Sequence, residues 1–271
     1  MKLGTYFNDE FALYLHLQKI FFSKIVLASG IRLEDNSHFG REWIPKFGIV
    51  YHLFAQTSLR SSVSKGFRTP SIRDLYLFPP ANSDLKPERL WNYELGINHH
   101  FSQSFYLDIV GYYYEGDQLI ETTFQAPGQM LNTNTASNKA RGFEVTFHAK
   151  PLKNLIANIS YSYLDSDETV PFAPNKIDFM MNYRWQNFNL SLYGENISNL
   201  YTSYTLSKFP PQTIIEKLSN YTLVHVKLNY QLLSHINISL GMENVLDESY
   251  EILKGYPMPG RTIFSSLNYR F

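Results

Sequence analysis

Apolar and polar residues alternate along most of this chain. Ile236, Ile238, Leu240 and Met242 are separated by Asn237, Ser239 and Gly241. Successive side chains of a strand point to opposite faces, so this spacing predicts a strand with one apolar and one polar face. Val224, Val226, Leu228 and Tyr230 alternate in the same way with His225, Lys227 and Asn229. Phe143, Val145, Phe147 and Ala149 alternate with Glu144, Thr146 and His148, and Phe188, Leu190 and Leu192 with Asn189, Ser191 and Tyr193. Carried along the chain, the pattern predicts about thirteen strands. Their cores fall at 3–16, 23–35, 43–52, 56–67, 90–100, 104–118, 139–149, 155–165, 174–185, 188–198, 220–230, 235–246 and 261–271. No segment carries a helical period with caps.

The connections add direction. Short turns fall at 53–55, 101–103, 151–154, 185–187 and 231–234, and long connections at 68–89, 119–138, 199–219 and 247–260. The connections at 36–42 and 166–173 are intermediate and belong to the long series. The long series holds most of the proline, including Pro70, Pro79, Pro80, Pro87, Pro210, Pro211, Pro257 and Pro259. In an up-and-down antiparallel sheet this alternation puts every short turn at one end and every long loop at the other. With aromatic residues near strand ends, it predicts an outer-membrane β-barrel. The competing reading is a soluble β-sandwich. Strands of this length exceed the globular mode of about 5–6 residues. The polar face is rich in Ser, Asn and Thr rather than Lys and Glu, as a wet interior would be.

Composition narrows the choice. Tyr 20, Phe 20 and Trp 3 make 16% of the chain aromatic, which excludes a mainly disordered state. The longest apolar run, Phe11 to Leu15, is far short of the roughly 20 residues a spanning helix needs. Lys+Arg 24 balance Asp+Glu 24, which argues against a nucleic-acid partner. With Cys 0 there is no disulfide framework, thiolate metal site or cysteine nucleophile. The eight histidines are scattered, and His99 and His100 point to opposite faces of one strand, which is poor geometry for a metal. No glycine-flanked nucleophile turn is present. Neither enzyme activity nor a cofactor is expected. The first ten residues do not read as a secretory signal, so the chain is expected either to stay inside the cell or to be a mature or truncated piece.

The C-terminus is distinctive. Ile263, Leu267, Tyr269 and Phe271 share one face, and a terminal aromatic behind alternating apolar residues resembles the signal read by the bacterial outer-membrane assembly machinery. Leu267, Tyr269 and Phe271 are the candidate signal residues. Three stretches near this end and upstream resemble TonB-dependent outer-membrane receptors. They are Glu243-Asn244-Val245-Leu246-Asp247-Glu248-Ser249-Tyr250 with Gly255 to Thr262, Gly66-Phe67-Arg68-Thr69-Pro70-Ser71-Ile72-Arg73-Asp74-Leu75-Tyr76 with Leu85 to Arg89, and Arg141-Gly142-Phe143-Glu144. In physical terms, Asn244 and Asp247 can bond local backbone and end a strand, and Pro70 removes a ladder donor so that its strand should stop there. Gly260 would allow an unusual backbone angle before the final strand.

The resemblance implies a receptor in the bacterial outer membrane that takes up a siderophore, cobalamin or similar scarce nutrient by TonB coupling. Its barrel has 22 strands around a plug. Residues 1–271 would be the C-terminal part of that barrel domain, an incomplete barrel without the plug and not active alone. Implied partners are outer-membrane lipid, the TonB complex through the missing plug, and a metal chelate or corrinoid. Arg68, Arg73, Tyr76, Tyr201, Tyr204 and Tyr256, in or beside the long connections, are the ligand-contact candidates, and alternatively interfacial anchors. The alternative function is an autonomous smaller barrel acting as a passive diffusion channel, which requires a closed ring.

Overall fold

The structure is a computed structural model that describes residues 7–77, 79–126, 128–167, 173–208 and 211–270. The chain runs β1 (Glu10–Phe21), β2 (Ile25–Asn36), β3 (Gly40–Phe54), β4 (Thr57–Arg68), α1 (Ile72–Tyr76), β5 (Glu88–Ser102), β6 (Phe105–Ala126), β7 (Gln129–Leu152) and β8 (Leu155–Ser166). It continues with β9 (Asn175–Trp185), β10 (Phe188–Ser198), β11 (Tyr201–Lys208), β12 (Pro211–Lys217), β13 (Tyr221–Leu233), β14 (Ile236–Glu243), β15 (Glu251–Leu253), β16 (Tyr256–Pro257) and β17 (Thr262–Tyr269). Thirteen of these form one antiparallel sheet, in the order β1-β2-β3-β4-β5-β6-β7-β8-β9-β10-β13-β14-β17. Among the described residues the order is open, since β1 neighbours only β2 and β17 only β14. The other four strands form two small hairpins, β11-β12 and β15-β16, inside long connections. By contact density the chain makes two compact units. One takes the described residues up to Ile97 with Gly111–Arg141, Ser166 and Asp167, and the other takes Asn98–Val110, Gly142–Asp165 and the described residues from Ala173 onward.

The register converts the alternation into two faces. In the second unit Leu190, Leu228 and Leu240 align across β10, β13 and β14, and Asn189, Asn229 and Ser239 form the adjacent row. Leu240 is 54% exposed and Ser239 4%, so the apolar row faces outward and the polar row is covered. The polar row is knit by side-chain bonds, such as Ser239 Oγ donating to Asn229 Oδ1 at 2.7 Å and Asn182 Nδ2 to Ser191 Oγ at 2.9 Å. An outward row of Leu, Ile and Tyr with hydrogen-bonded polar residues behind it inverts a soluble sandwich, which buries its apolar faces against each other. No helix among the described residues is long and apolar enough to cross a membrane.

Several boundaries differ from the sequence pattern. The first strand is Glu10–Phe21 rather than 3–16, whose opening positions lie outside the described residues. Its turn places Phe22 and Ser23 at φ 50° and 55° without the Asn-Gly or Asp-Gly pair that marks such turns in a sequence. The connection expected at 36–42 is only Ser37 to Phe39, held within by His38 N–H donating to Asn36 Oδ1 at 2.9 Å and tied to the segment before β1 by Ser37 N–H donating to Asp9 O at 2.9 Å. The long connection expected at 119–138 is almost entirely strand, because β6 and β7 extend as one hairpin. Its Thr and Asn side chains carry no apolar period, and a projecting ribbon needs none. Residues 199–219 and 247–260 likewise contain the two small hairpins, and the connection after β4 contains the five-residue α1.

Candidate loop cleft and polar wall

The β4–β5 connection starts where proline stops pairing: Arg68 is the last residue of β4 and Pro70 follows. Ser71 then caps α1. Its Oγ accepts from Asp74 N–H at 3.2 Å, and Asp74 Oδ2 accepts from Ser71 N–H at 3.0 Å. This reciprocal capping box satisfies donors that the helix start leaves open. Burial pushes the Asp74 carboxyl up, but the bonds from the Ser71 hydroxyl and N–H, with the charges of Arg68 and Arg73, outweigh it and hold it below the ordinary aspartate range.

Three asparagines bind this loop to the β6–β7 hairpin. Asn82 Nδ2 donates to Asn132 O at 2.8 Å, and Asn132 N–H donates to Pro80 O at 2.7 Å. Asn134 Oδ1 accepts from Lys86 N–H at 2.7 Å while its Nδ2 donates to Lys86 O at 2.8 Å and Gln118 O at 2.7 Å. Glu88 fixes the return to β5: it accepts from Arg68 Nη2 at 2.7 Å and from Ile120 N–H at 2.8 Å. Loop, helix and hairpin enclose a cleft of 510 Å³ lined by Arg68, Arg73, Asp74, Thr122 and Asn132 among others. Such a cleft suits a polar or anionic group.

Below the loop, the same unit carries a buried ion network. Glu42, 6% exposed, accepts from Lys65 Nζ at 3.0 Å and Arg89 Nε at 3.1 Å. Its cross-strand partner Glu34, 3% exposed, accepts from Arg32 Nη2 at 2.6 Å. Each carboxylate is thereby met by a cation, which is the condition for burying charge.

In the second unit an apolar cluster of Ile197, Leu200, Leu218, Tyr221 and Leu223 is joined by Ala173 and Tyr250. It therefore holds the bases of three connections together. Asn244 ends β14 as expected: its Oδ1 accepts from Glu248 N–H at 2.8 Å and its Nδ2 donates to Glu248 O at 2.8 Å. Asp247 accepts from Arg261 N–H at 2.8 Å, and Asn244 and Asp247 sit at positive φ, 49° and 56°. Gly260 differs from expectation. Its backbone is not in the left-handed region, and the glycine is needed for space, because a Cβ there would stand 2.9 Å from Asp247 Oδ1.

The ligand-contact candidates fall into two groups. Arg68 and Arg73 line one cleft, and Tyr76 on α1 places its ring 6.0 Å from that of His38. Tyr201 and Tyr204 lie on β11, where Tyr204 bonds Glu216, which also accepts from Lys254 Nζ at 2.8 Å. Tyr256 is 69% exposed on β16. Among the signal residues, Leu267 and Tyr269 are 70% and 55% exposed, with the Tyr269 ring edge-on to His235 at 5.4 Å. Phe271 lies outside the described residues. Sequence reasoning missed Asn132, Asn134 and Glu42. Only the Asn-Thr-Asn-Thr run at 132–135 hinted at the first two. No group of three or more His, Asp or Glu that could hold a metal ion occurs among the described residues.

An open antiparallel sheet with an apolar outer face, a polar inner face and loops gathered in one series is the wall of a membrane barrel. Residues 3–245 match the family described as TonB dependent receptor-like, beta-barrel, and the chain belongs to that family. It is 23% identical over 251 residues to the vitamin B12 transporter BtuB of Photobacterium profundum, covering 89% of this chain and 40% of that protein. To the BtuB of Vibrio vulnificus it is 24% identical over 268 residues, covering 92% and 41%. The siderophore receptor PirA from Acinetobacter baumannii has the same fold, with TM-score 0.82 at 16% identity, over 97% of this chain and 46% of that one. The ferric enterobactin receptor of Pseudomonas aeruginosa superposes with TM-score 0.81 at 14% identity. The chain spans about two fifths of the length of the B12 transporters it matches.

Proposed function

We propose that the chain forms part of the wall and outer loops of a bacterial outer-membrane receptor, residues 1–271 belonging to its β-barrel domain. The receptor captures a scarce nutrient, a siderophore or a corrinoid, and delivers it inward with energy supplied through TonB. The observation that carries this reading is the pairing of an outward apolar row with a hydrogen-bonded polar row behind it, Leu240 against Ser239, in a sheet of the family's fold. The names of the relatives, B12 transporters and siderophore receptors, supply the two ligand classes. Arg68, Arg73 and Tyr76 are the contacts proposed from the β4–β5 loop, and Tyr201, Tyr204 and Tyr256 those from the hairpins. Arg73 is the stronger candidate for an anionic ligand, since Arg68 is held by Glu88. A passive channel made by this chain alone would need β1 and β17 to pair, and among the described residues the sheet order does not join them.

The test is uptake. Cells deleted for the gene are supplied with labelled cobalamin and with labelled ferric siderophores of catecholate and hydroxamate type, with and without functional TonB. Loss of TonB-dependent uptake of one of them is expected. Unchanged uptake of all of them would overturn the reading.

A further inference from the structure

The cleft between the β4–β5 loop and the β6–β7 hairpin carries less positive charge than its two arginines suggest. Arg68 gives both Nε and Nη2 to Glu88, the second at 2.7 Å. Arg73 makes neither an ion pair nor a side-chain hydrogen bond among the described residues. Its neighbour Asp74 lines the same cleft and takes both Ser71 bonds on Oδ2, which leaves Oδ1 open. On the hairpin side, Thr122 Oγ1 donates to Asn132 Oδ1 at 2.9 Å, so the Nδ2 protons of Asn132 are left for the cleft. Asn132 is only 8% exposed and is fixed through its backbone to Pro80 and Asn82. Leu77, Pro79 and Pro80 supply the apolar part of the lining. The cleft therefore offers two donors, Arg73 and Asn132, beside an anionic acceptor, Asp74, and an apolar edge.

The surrounding sequence adds no cationic field. Residues 68–89 and 115–139 hold five cationic and six anionic side chains. Three of the five cations are already met: Arg68 by Glu88, Arg89 by Glu42, and Lys139 by Glu115 at 3.0 Å. Of the other two, Arg73 lines the cleft and Lys86 does not. In the second unit the connections 199–219 and 244–261 hold four charges of each sign. Like charges brought together are costly, so a multiply anionic ligand would meet Asp74 and Glu88 with Arg73 alone to receive it. An amide group brings an acceptor for Arg73 or Asn132 together with an N–H for Asp74. We propose that this cleft seats a ligand of low net charge built from amide groups, with a single anionic or carbonyl oxygen on Arg73 and an N–H on Asp74, and that polyanionic ferric catecholates are excluded. The proposal rests on the receptor reading above and narrows its ligand. Corrinoids, with carboxamides around a phosphodiester, and amide-linked ferric hydroxamates share this chemistry.

The test uses the full gene product in a host stripped of its own corrinoid and siderophore receptors. TonB-dependent uptake is measured against concentration for labelled cyanocobalamin, a neutral amide-linked ferric hydroxamate and a ferric catecholate. Saturable uptake of one of the first two is expected, unaffected by an excess of the catecholate. Arg73→Gln should raise the half-saturating concentration about ten-fold for cyanocobalamin, whose phosphodiester makes a charge-assisted bond. For the hydroxamate, whose carbonyl makes a neutral bond, the rise should be about three-fold. Arg73→Glu should raise it further. Both variants should keep the unmodified amount of heat-modifiable protein, since Arg73 is exposed. TonB-dependent uptake of the catecholate, or competition by it, would overturn the charge assignment and leave the receptor reading standing. A half-saturating concentration unmoved by both Arg73 variants would overturn the seat. Uptake of none of the three would overturn the receptor reading, and this proposal with it.

Discussion

The ring of Phe264 on β17 lies over Gly241, its direct partner on β14, and occupies the space where a Cβ would stand. Gly194 on β10 is enclosed differently: a Cβ there would overlap the backbone carbonyl of Leu223 as well as the Phe179 ring of its partner strand. A ring can turn about its χ angles, whereas a paired strand's carbonyl cannot move without breaking its ladder. Gly194→Ala is therefore expected to lower the yield of folded, heat-modifiable protein severely. Gly241→Ala should cost about 1–3 kcal/mol as an overpacking change. Equal yields for the two variants, read on unheated gels and in urea titrations, would contradict this difference.

Glu42 is the hub of a buried network, so its removal leaves Lys65 and Arg89 facing each other without their shared anion. Glu42→Ala should destabilise the folded chain by on the order of 3 kcal/mol, because a broken buried pair leaves uncompensated charge. A double replacement of Glu42 and Lys65 by apolar residues should cost less than the single change. Denaturant midpoints of the three proteins decide it.

The cap of α1 is predicted to respond to acid. Asp74 is held below its ordinary value, so its contribution is complete above the usual aspartate range, about 3.9, and is lost as the pH falls through its lowered value. Amide protection over residues 71–77, after correction for the intrinsic pH dependence of exchange, should be constant at neutral pH and fall only below that range. Ser71→Ala should cost about 1 kcal/mol locally at neutral pH. Protection already lost well above that range would contradict the assignment.

Asn134 makes two bonds to the Lys86 backbone and one to that of Gln118. Asn134→Ala should release the β4–β5 loop from the hairpin without unfolding the sheet. Limited proteolysis should then cut between Pro79 and Lys86 several-fold faster while the resistant core persists. Unchanged cleavage would show that Asn82 and Asn132 hold the loop by themselves.

Deleting Phe271, or changing it to Asp, should reduce membrane insertion more than any loop substitution. Leu267 and Tyr269, two of the outward residues of β17, are expected to behave in the same way. Fractionation after expression measures it, and normal membrane levels of the deletion variant would count against an assembly signal.

Much of the wall was legible in the sequence, because a face that must be apolar writes itself as a period of two. Leu190, Leu228 and Leu240 could be assigned to one side before their register was known. Legibility ended where that pressure ends. The outer half of the β6–β7 hairpin alternates nothing apolar, so residues such as Thr122 and Asn132 read as loop although they are strand. The β1–β2 turn was displaced because Phe22 and Ser23 adopt positive φ without a glycine or asparagine to announce it. The asparagine bracket was hidden for another reason: its bonds join residues some fifty positions apart, a distance no local pattern encodes.

The sheet begins and ends on strands of the same sense. In an order that reverses at every step, the first and thirteenth strands point the same way. Joining β1 directly to β17 would make a parallel seam, with slanted hydrogen bonds unlike every other ladder here. A seam that keeps the antiparallel pattern at both edges requires an odd number of intervening strands. Any engineered ring built on this chain has to obey that parity: appending one hairpin, or any whole number of hairpins, leaves the mismatch in place, and a single added strand removes it.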